Sequence, residues 1–555
     1  MRKNLLPLMV PSFVMLASLG LTACTSEEPL GEQAQETPSA PSNFDAVYGN
    51  IKDEDLRAPL ETLSSDEFEG RSPTSAGETK TLDYLTNKLK AAGYQPGNNG
   101  SFLQDVELME ITAEPNASMT IGDNTFAYKQ DMIVGTKREQ TAIDLTASDV
   151  VFVGYGVNAP EYQWNDYAGI DVKGKTVVIL VNDPGFENPE SGKFQGSTMT
   201  YYGRWTYKYE EASRQGAAAA LIVHETAPAS YGWSVVANSW SGPQYSLVSD
   251  DGGASRVAVE GWLTLDAAKK MFTDAGMDFD EEKRAALEGP YHKNLDLTAS
   301  ISLQNTIKKS VSHNVIATLP GAEHPDEHVI YTAHWDHLGK DPSLKGDQIY
   351  NGAHDNATGT AASLVMADAF AALTPRPSRS VTFLIVTAEE QGLLGSQYYA
   401  EHPVIPLSDT VANINMDAMN VLGKTKDVKV VGMGKSQLET YLEKAAKHQG
   451  RYLTEEDRPE AGSYYRSDHF SFAKKGVPAL YAEGGSEPWD EQTAKYRKRM
   501  KVIVTGCYHQ VCDEYRKEWD LSGIAQDAQL LFEVGYDLAT GNDWPEWNES
   551  SEFQR

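Results

Sequence analysis

Between residues 328 and 417 the chain alternates short, mostly apolar runs with a helical segment. The runs are HVIYTAH (328–334), SVTFLIVTAEE (380–390) and TVANINMD (410–417), and a helical pattern over 359–373 separates the first two. Apolar runs of this length, separated by helices, are typical of strands buried on both faces of a parallel sheet. The sequence therefore predicts an α/β fold with a mostly parallel mixed sheet sandwiched by helices. Ligands of such sheets collect at the carboxyl ends of strands.

Residues of the types that bind metal ions occupy those strand ends. His334 and Asp336 end the first run, Glu389 and Glu390 the second and Asp417 the third, while Asp355 precedes the helix and His509 comes late in the chain. A single strand-end carboxylate is more often a cap, but two adjacent glutamates on an apolar strand need partners. Imidazole and carboxylate are zinc ligands, and a bridging carboxylate allows two ions about 3.5–4 Å apart. The pattern predicts a metal site.

Six motifs in a fixed order carry a resemblance to a known family. They are HWDHLG, GAHDNATG, TAEEQGLLGS, NINMD, RSDHFSF and CYHQVCD. This series resembles the co-catalytic zinc aminopeptidases, metallopeptidase family twenty-eight, over residues 50–130 and 305–540. The resemblance implies the zinc aminopeptidase fold, two Zn²⁺ ions (with other divalent metals as alternatives) and removal of N-terminal residues from peptides, with an apolar preference.

The resemblance also implies a set of metal ligands. His334, Asp355 and Asp417 would hold one zinc, and Asp355 would bridge to a second zinc held by Glu390 and His509. His354 stands where many relatives have Asn or another small polar residue, and a second imidazole there would alter the metal preference. His469, in RSDHFSF, is a competing candidate for the last ligand.

Further residues receive catalytic and substrate-binding roles by the same resemblance. Glu389 would be the general base that takes a proton from the attacking water and passes it to the leaving amine. Asp336 would orient the His334 imidazole, and Tyr508 would donate a hydrogen bond to the oxyanion. The segment with Arg466, Asp468 and His469 would line the substrate pocket.

Two cysteines bracket the late histidine of this series. In an oxidising compartment Cys507 and Cys512 would form a short disulfide that stiffens the ligand loop, as the family pattern CYHxxCD suggests. Two free thiols are the alternative.

The segment 142–298 differs from its flanks in its sequence pattern, because it is rich in short β-type runs. It contains VVFVGYG (150–156), KTVVILVND (175–183) and AAAALIVHE (217–225), which indicate short strands. It resembles a protease-associated domain inserted into a peptidase. The peptidase domain itself would then comprise 44–141 and 299–545, and its first part, from Phe44 to Glu110, has a helical pattern.

The first residues indicate export. Arg2 and Lys3 precede an apolar stretch that ends in Leu-Thr-Ala-Cys, which resembles a lipobox with Cys24 as the lipidated residue. We expect a signal peptide over 1–23 and a polar tether over 24–43. The protein would be an exported bacterial lipoprotein, in the outer membrane facing the periplasm or the exterior. A plain signal peptide with an incidental cysteine is the alternative.

The formal net charge of −31, from 79 acidic and 48 basic residues, argues against nucleic acid as a partner. Peptides are the expected partners, with membrane contact only through the lipid anchor on Cys24. Three alternatives to an aminopeptidase stay open at this point. They are a carboxypeptidase acting on acidic dipeptides, a single-zinc glutaminyl cyclase, and a non-catalytic receptor-like ectodomain that has lost its metals.

Overall fold

The centre of the fold is a mixed β-sheet whose middle strands run parallel. The computed structural model describes residues 42–549 and 551–555, so the predicted signal peptide and Cys24 lie outside the described residues. From one edge to the other the strands are Pro243–Leu247, Leu103–Ala113, Lys293–Leu319, Arg379–Val386, His324–His334, Thr410–Asn415, Ala479–Gly484, Asp427–Val430 and Tyr452–Glu455. The four strands from Arg379–Val386 to Ala479–Gly484 are mutually parallel.

Helices cover this large sheet. They are Phe44–Tyr48, Asp53–Leu63, Ala76–Ala91, Thr358–Ala371, Leu394–Glu401, Leu438–His448, His469–Ala473, Glu491–Cys507 and Ser522–Thr540. In Thr358–Ala371, 12 of the 14 residues are buried, as expected for a helix enclosed on all sides. The predicted fold class is confirmed. Among the described residues, no helix combines the length and apolarity that crossing a bilayer requires.

A second, smaller sheet has its own apolar core. Its strands are Ser118–Ile121, Asn124–Phe126, Met132–Gly135, Ala142–Phe152, Thr176–Leu180, Ala219–His224, Val259–Thr264 and the first half of Lys293–Leu319. Its longer helices are Trp205–Arg214, Trp233–Ser239, Leu265–Asp274 and Phe279–Glu288. The buried residues of this core extend from Ala117 to Leu303, and we call residues 117–303 the small-sheet region. Its identity as a protease-associated domain stays a prediction.

The helical prediction for 44–110 is wrong at its end, because Leu103–Ala113 is a strand. Val106 and Leu108 are buried there, whereas Asp105 and Glu107 are exposed. This alternation with a period of two residues is the pattern of a half-buried strand. The helical spacing that supports the prediction stops before residue 93.

Candidate metal centre and substrate cleft

The parallel strands bring the predicted donors to one edge of the large sheet. His334 is the last residue of its strand, Asp417 follows Thr410–Asn415 by two residues, and Glu389 follows Arg379–Val386 by three. Left-handed backbone conformations occur beside two of them, at Ala388 (φ 52°) and Ala418 (φ 48°). Non-glycine residues of this kind cost energy and cluster where a fold must aim side chains at a site.

The first donor group consists of His334, Asp355 and Asp417. His334 Nε2 lies 3.2 Å from Asp355 Oδ1 and 3.3 Å from Asp417 Oδ1. Two ligands of a tetrahedral zinc ion, each about 2.0–2.1 Å from the metal, lie about 3.3–3.4 Å apart. These separations match that geometry. Ser467 Oγ donates to the other oxygen of Asp417 at 2.6 Å and so fixes the carboxylate.

The second donor group shares Asp355 and contains Glu390 with two histidines. His509 Nε2 lies 3.1 Å from Asp355 Oδ2 and 3.0 Å from Glu390 Oε2. His337, which the sequence analysis did not consider, is fully buried and places Nδ1 2.5 Å from Glu390 Oε1. His337 is the second histidine of the motif HWDHLG, and this was the one indication of it in the sequence. Asp355 thus faces one donor group with each of its oxygens, as a bridging carboxylate does.

The charge of the site tests whether these donors suit metal cations. No ion pair of the described residues joins a Lys or Arg to the carboxylates of Asp336, Asp355, Glu389, Glu390 or Asp417. Buried carboxylates without cationic partners are strongly unfavourable. The Nε2 atom of His337, on the other side of the ring, has no hydrogen-bond partner among the described residues. The donor set therefore fits divalent cations such as zinc.

The imidazole pKa values show the same preference for positive charge. Burial alone would lower the pKa of His334, but Glu389 and Asp417 raise it well above its usual range. Burial also lowers the pKa of His509, but its hydrogen bonds to Asp355 and Glu390 outweigh burial and raise that pKa to about 10. The carboxylates favour positive charge at the points where the donor groups converge.

Asp336 is placed differently from its predicted role. His334 Nδ1 lies 3.1 Å from the backbone carbonyl oxygen of Asp336 and 3.7 Å from its carboxylate. The carboxylate instead accepts the backbone N–H groups of Glu389 (3.1 Å) and Glu390 (3.4 Å). Asp336 therefore links the first strand end to the second and positions the glutamates. Burial raises its pKa to about 7.

Arg71 is a positioning residue that the sequence analysis missed. Its guanidinium donates to the carbonyl oxygens of Trp335 (2.8 Å), Asn351 (2.6 Å), Gly352 (2.8 Å) and Leu63 (2.6 Å). Three of these carbonyls flank His334 or precede Asp355 by a few residues. Asp513 supports the same loop by accepting the backbone N–H groups of 354 and 355. An isolated arginine in EGR gives no local signal of such a role.

Glu389 and Tyr508 lie at the open side of the site. Glu389 Oε2 is 3.9 Å from His334 Nε2, and burial, followed by Asp417 and Asp468, raises the Glu389 pKa. Tyr508 is 56 % exposed, and its ring stacks on His509 with centroids 3.9 Å apart. Partial desolvation beside the metal centre, followed by the charges of Asp355 and Glu390, raises the Tyr508 pKa, so the hydroxyl keeps its proton for donation.

A cleft of about 640 Å³ lies next to this centre and is lined by Glu389, Glu390, Tyr508 and His509. Arg466, which the resemblance assigns to the substrate pocket, also lines this cleft. Asp468 and His469 do not line the cleft. Both are fully buried, and His469 packs edge-on against Tyr464 at 4.5 Å, with burial lowering its pKa to about 3. These two residues reach a substrate only through their neighbours, and His469 belongs to neither donor group.

The remaining predicted residues surround the second donor group. Cys507 and Cys512 form a disulfide, and the loop that it closes contains Tyr508 and His509. His354 is half-buried and belongs to neither donor group; it precedes the shared carboxylate of Asp355.

Comparison with known proteins finds a family model that matches the part of the chain containing this centre. The profile of Peptidase family M28 matches residues 314–533, which contain every donor described above. Over these residues the chain is similar to peptidase family M28. The matched residues 314–533, here called the M28 segment, include the four parallel strands and exclude the small-sheet region.

Individual proteins and solved structures are also similar to this chain. A probable zinc metalloprotease from Pyrenophora teres f. teres is 38 % identical over 104 residues, 19 % of this chain and 22 % of that protein. The match therefore spans about a fifth of that relative's length. A probable leucine aminopeptidase 2 from Aspergillus oryzae is 22 % identical over 447 residues, 78 % of this chain and 73 % of that one. In fold, the chain resembles an aminopeptidase from Aneurinibacillus sp. strain AM-1, with a TM-score of 0.50 and 20 % identity over 90 % of this chain and 96 % of that one.

Proposed function

We propose that this protein is a metal-dependent aminopeptidase that hydrolyses N-terminal residues from peptides with two zinc ions and a glutamate base. The observation that carries the proposal is the pair of donor groups that share Asp355, with the carboxyl of Glu389 beside them but in neither. A purely structural metal site has no use for such a carboxylate. The aminopeptidase names of the Aspergillus and Aneurinibacillus proteins support the same activity.

Each residue then has a defined task. Bound at the two donor groups, zinc ions would act as Lewis acids toward the scissile carbonyl and the attacking water. Glu389 takes the proton from that water and delivers it to the leaving amine. Asp336 holds the backbone of 389 and 390, and Ser467 holds the Asp417 carboxylate, so that neither changes orientation during the reaction.

Tyr508 would donate a hydrogen bond to the oxyanion of the tetrahedral intermediate. We expect Tyr508→Phe to lower kcat by about a hundred- to a thousandfold, with little change in KM, because the bond forms only in the transition state. Steady-state kinetics would measure this, with zinc content determined in parallel to show that His509 still binds. A change in kcat of less than threefold would remove Tyr508 from the mechanism.

The activity itself is tested with leucyl-p-nitroanilide and the purified chain. We expect hydrolysis that a chelator abolishes and added zinc restores. N-acetyl-leucyl-p-nitroanilide is the matched control, because an aminopeptidase requires a free amino group and should leave it intact. Equal cleavage of the acetylated and free substrates would contradict the aminopeptidase assignment. Absence of hydrolysis with two zinc ions bound would favour the carboxypeptidase, and a single bound zinc would favour the cyclase.

A further inference from the structure

The cleft beside the metal centre has a charge balance opposite to that of the protein. Seven Lys and Arg side chains and five Glu side chains line it, and two of those glutamates are Glu389 and Glu390 of the metal centre. In the whole sequence, acidic residues outnumber basic ones by 79 to 48. A local excess of one sign of charge favours ligands of the opposite sign. This local excess of cations points to an anionic group on the substrate.

Three of the cations are neutralised by the protein itself. Arg214 pairs with Glu211 at 2.7 Å, and Arg256 pairs with Glu260 at 2.6 Å. Lys474 pairs in the same way with Glu210, at 2.8 Å. The other four cations of the cleft, Arg204 among them, make no ion pair with any described residue.

Arg204 is such a cation. Its side chain makes no ion pair with any described residue, and its Nε is sealed from solvent without a hydrogen-bond partner. Burial, followed by the nearby charge of Arg466, lowers the Arg204 pKa to about 10, so the guanidinium stays charged at neutral pH. Arg204 as a whole is half-buried, so a ligand in the cleft can reach its guanidinium, and the sealed Nε favours a ligand that supplies an acceptor.

Arg466 faces the same cleft from the M28 segment, whereas Arg204 comes from the small-sheet region. Arg466 donates one bond, to the carbonyl oxygen of Ala461 at 2.7 Å, and makes no ion pair among the described residues. Both arginines line the cleft, Arg466 as an exposed side chain, and an anion bound there would offset their like charges. Arginine forks match the planar carboxylate group, which they bind with two parallel hydrogen bonds.

We propose that Arg204 and Arg466 form a subsite for a carboxylate of the peptide substrate, so that the small-sheet region takes part directly in substrate binding. This inference rests on the proposed function and adds the substrate class to it. The carboxylate belongs either to the free C-terminus of a short peptide or to an acidic side chain on the residue after the scissile bond. Both sources offer the same chemistry to the two arginines.

Four peptides separate the two sources. Leu-Ala and its C-terminal amide differ only in the α-carboxylate, and Leu-Asp-amide and Leu-Asn-amide differ only in the side-chain carboxylate. We expect at least about a tenfold lower KM for the charged member of one pair, as for a charge-assisted bidentate hydrogen bond. The pair that shows the difference identifies the source.

Variants assign the effect to the subsite. Arg204→Gln should remove the KM difference, and Arg204→Lys should restore part of it. Both should leave hydrolysis of leucyl-p-nitroanilide, which has no carboxylate, within twofold of the unmodified chain. Arg214→Gln is the matched control: it removes the same charge from the same cleft, but from a cation that Glu211 already neutralises, so the KM difference should persist.

Two results would overturn the subsite while leaving the aminopeptidase intact: equal KM values within both pairs, or equal effects of Arg204→Gln and Arg214→Gln. Failure to hydrolyse leucyl-p-nitroanilide would overturn the proposed function instead. In that case calorimetric binding of the charged and amidated peptides, compared between the unmodified chain and Arg204→Gln, still decides the subsite.

Discussion

Glu389→Gln is expected to lower kcat by about a hundred- to ten-thousandfold, because the amide cannot take a proton from the attacking water. The side chain keeps nearly the same size, and the donor groups do not include it, so zinc content should be unchanged. KM should change little, since the lost proton transfer belongs to the transition state and not to binding. Steady-state kinetics with leucyl-p-nitroanilide and metal analysis of the same preparation would measure both quantities.

The control for this substitution is Glu401→Gln. Glu401 also lines the cleft, but its carboxylate is exposed and bonds to Gln397. The Glu401→Gln variant should keep full activity. The comparison then distinguishes loss of the general base from loss of a negative charge near the substrate. A Glu389→Gln enzyme with more than about a tenth of the original kcat would contradict the assignment of the base, as would one that had lost zinc.

The strand ends of the metal centre were predictable from the sequence because two local signals coincide there. Apolar runs mark the buried strands, and His334, Glu389 and Asp417 interrupt them at the point where a parallel sheet exposes its carboxyl edge. The large sheet and its helices follow from the same signals. The strand Leu103–Ala113 was not predicted, because the helical pattern before it was extended too far along the chain. Its own alternation of buried and exposed residues indicates a strand.

Other parts of the site depend on contacts between distant segments, which no local pattern encodes. Arg71 reaches Trp335 across 264 residues, and Arg204 shares a cleft with Arg466 from another region of the chain. His337 was visible as a second histidine, but only its position beside Glu390 shows that it belongs to the centre. Asp468 and His469 are buried and do not line the cleft. Their burial depends on how the helix His469–Ala473 packs, which their motif does not show.

Arg71 carries the second large expected effect, because it joins both metal-binding loops to the body of the domain. It is 1 % exposed, and its four hydrogen bonds all go to backbone carbonyls. Burial lowers its pKa to about 10, while Asp513, Asp336 and Asp355 act to raise it. The guanidinium is therefore charged at neutral pH and lies behind the carboxylates of the centre, where it offsets part of their mutual repulsion.

Arg71→Met should lower the free energy of unfolding by about 3–5 kcal/mol, since several buried carbonyls lose their donors at once. It should also weaken zinc binding, because the loops that bear His334 and Asp355 lose a common anchor. Urea denaturation followed by tryptophan fluorescence measures the first effect. The increase in melting temperature on adding zinc to the chelated protein measures the second.

Arg379→Met distinguishes the two effects. Arg379 is equally buried and donates to the carbonyl oxygens of Leu538, Asp543 and Asn542, each at 2.9 Å, but it begins the strand Arg379–Val386, at the end opposite the metal centre. Its loss should destabilise the fold by a similar amount and leave the zinc-induced increase in melting temperature unchanged. If both variants retain that increase, Arg71 supports the fold alone and has no part in positioning the donors.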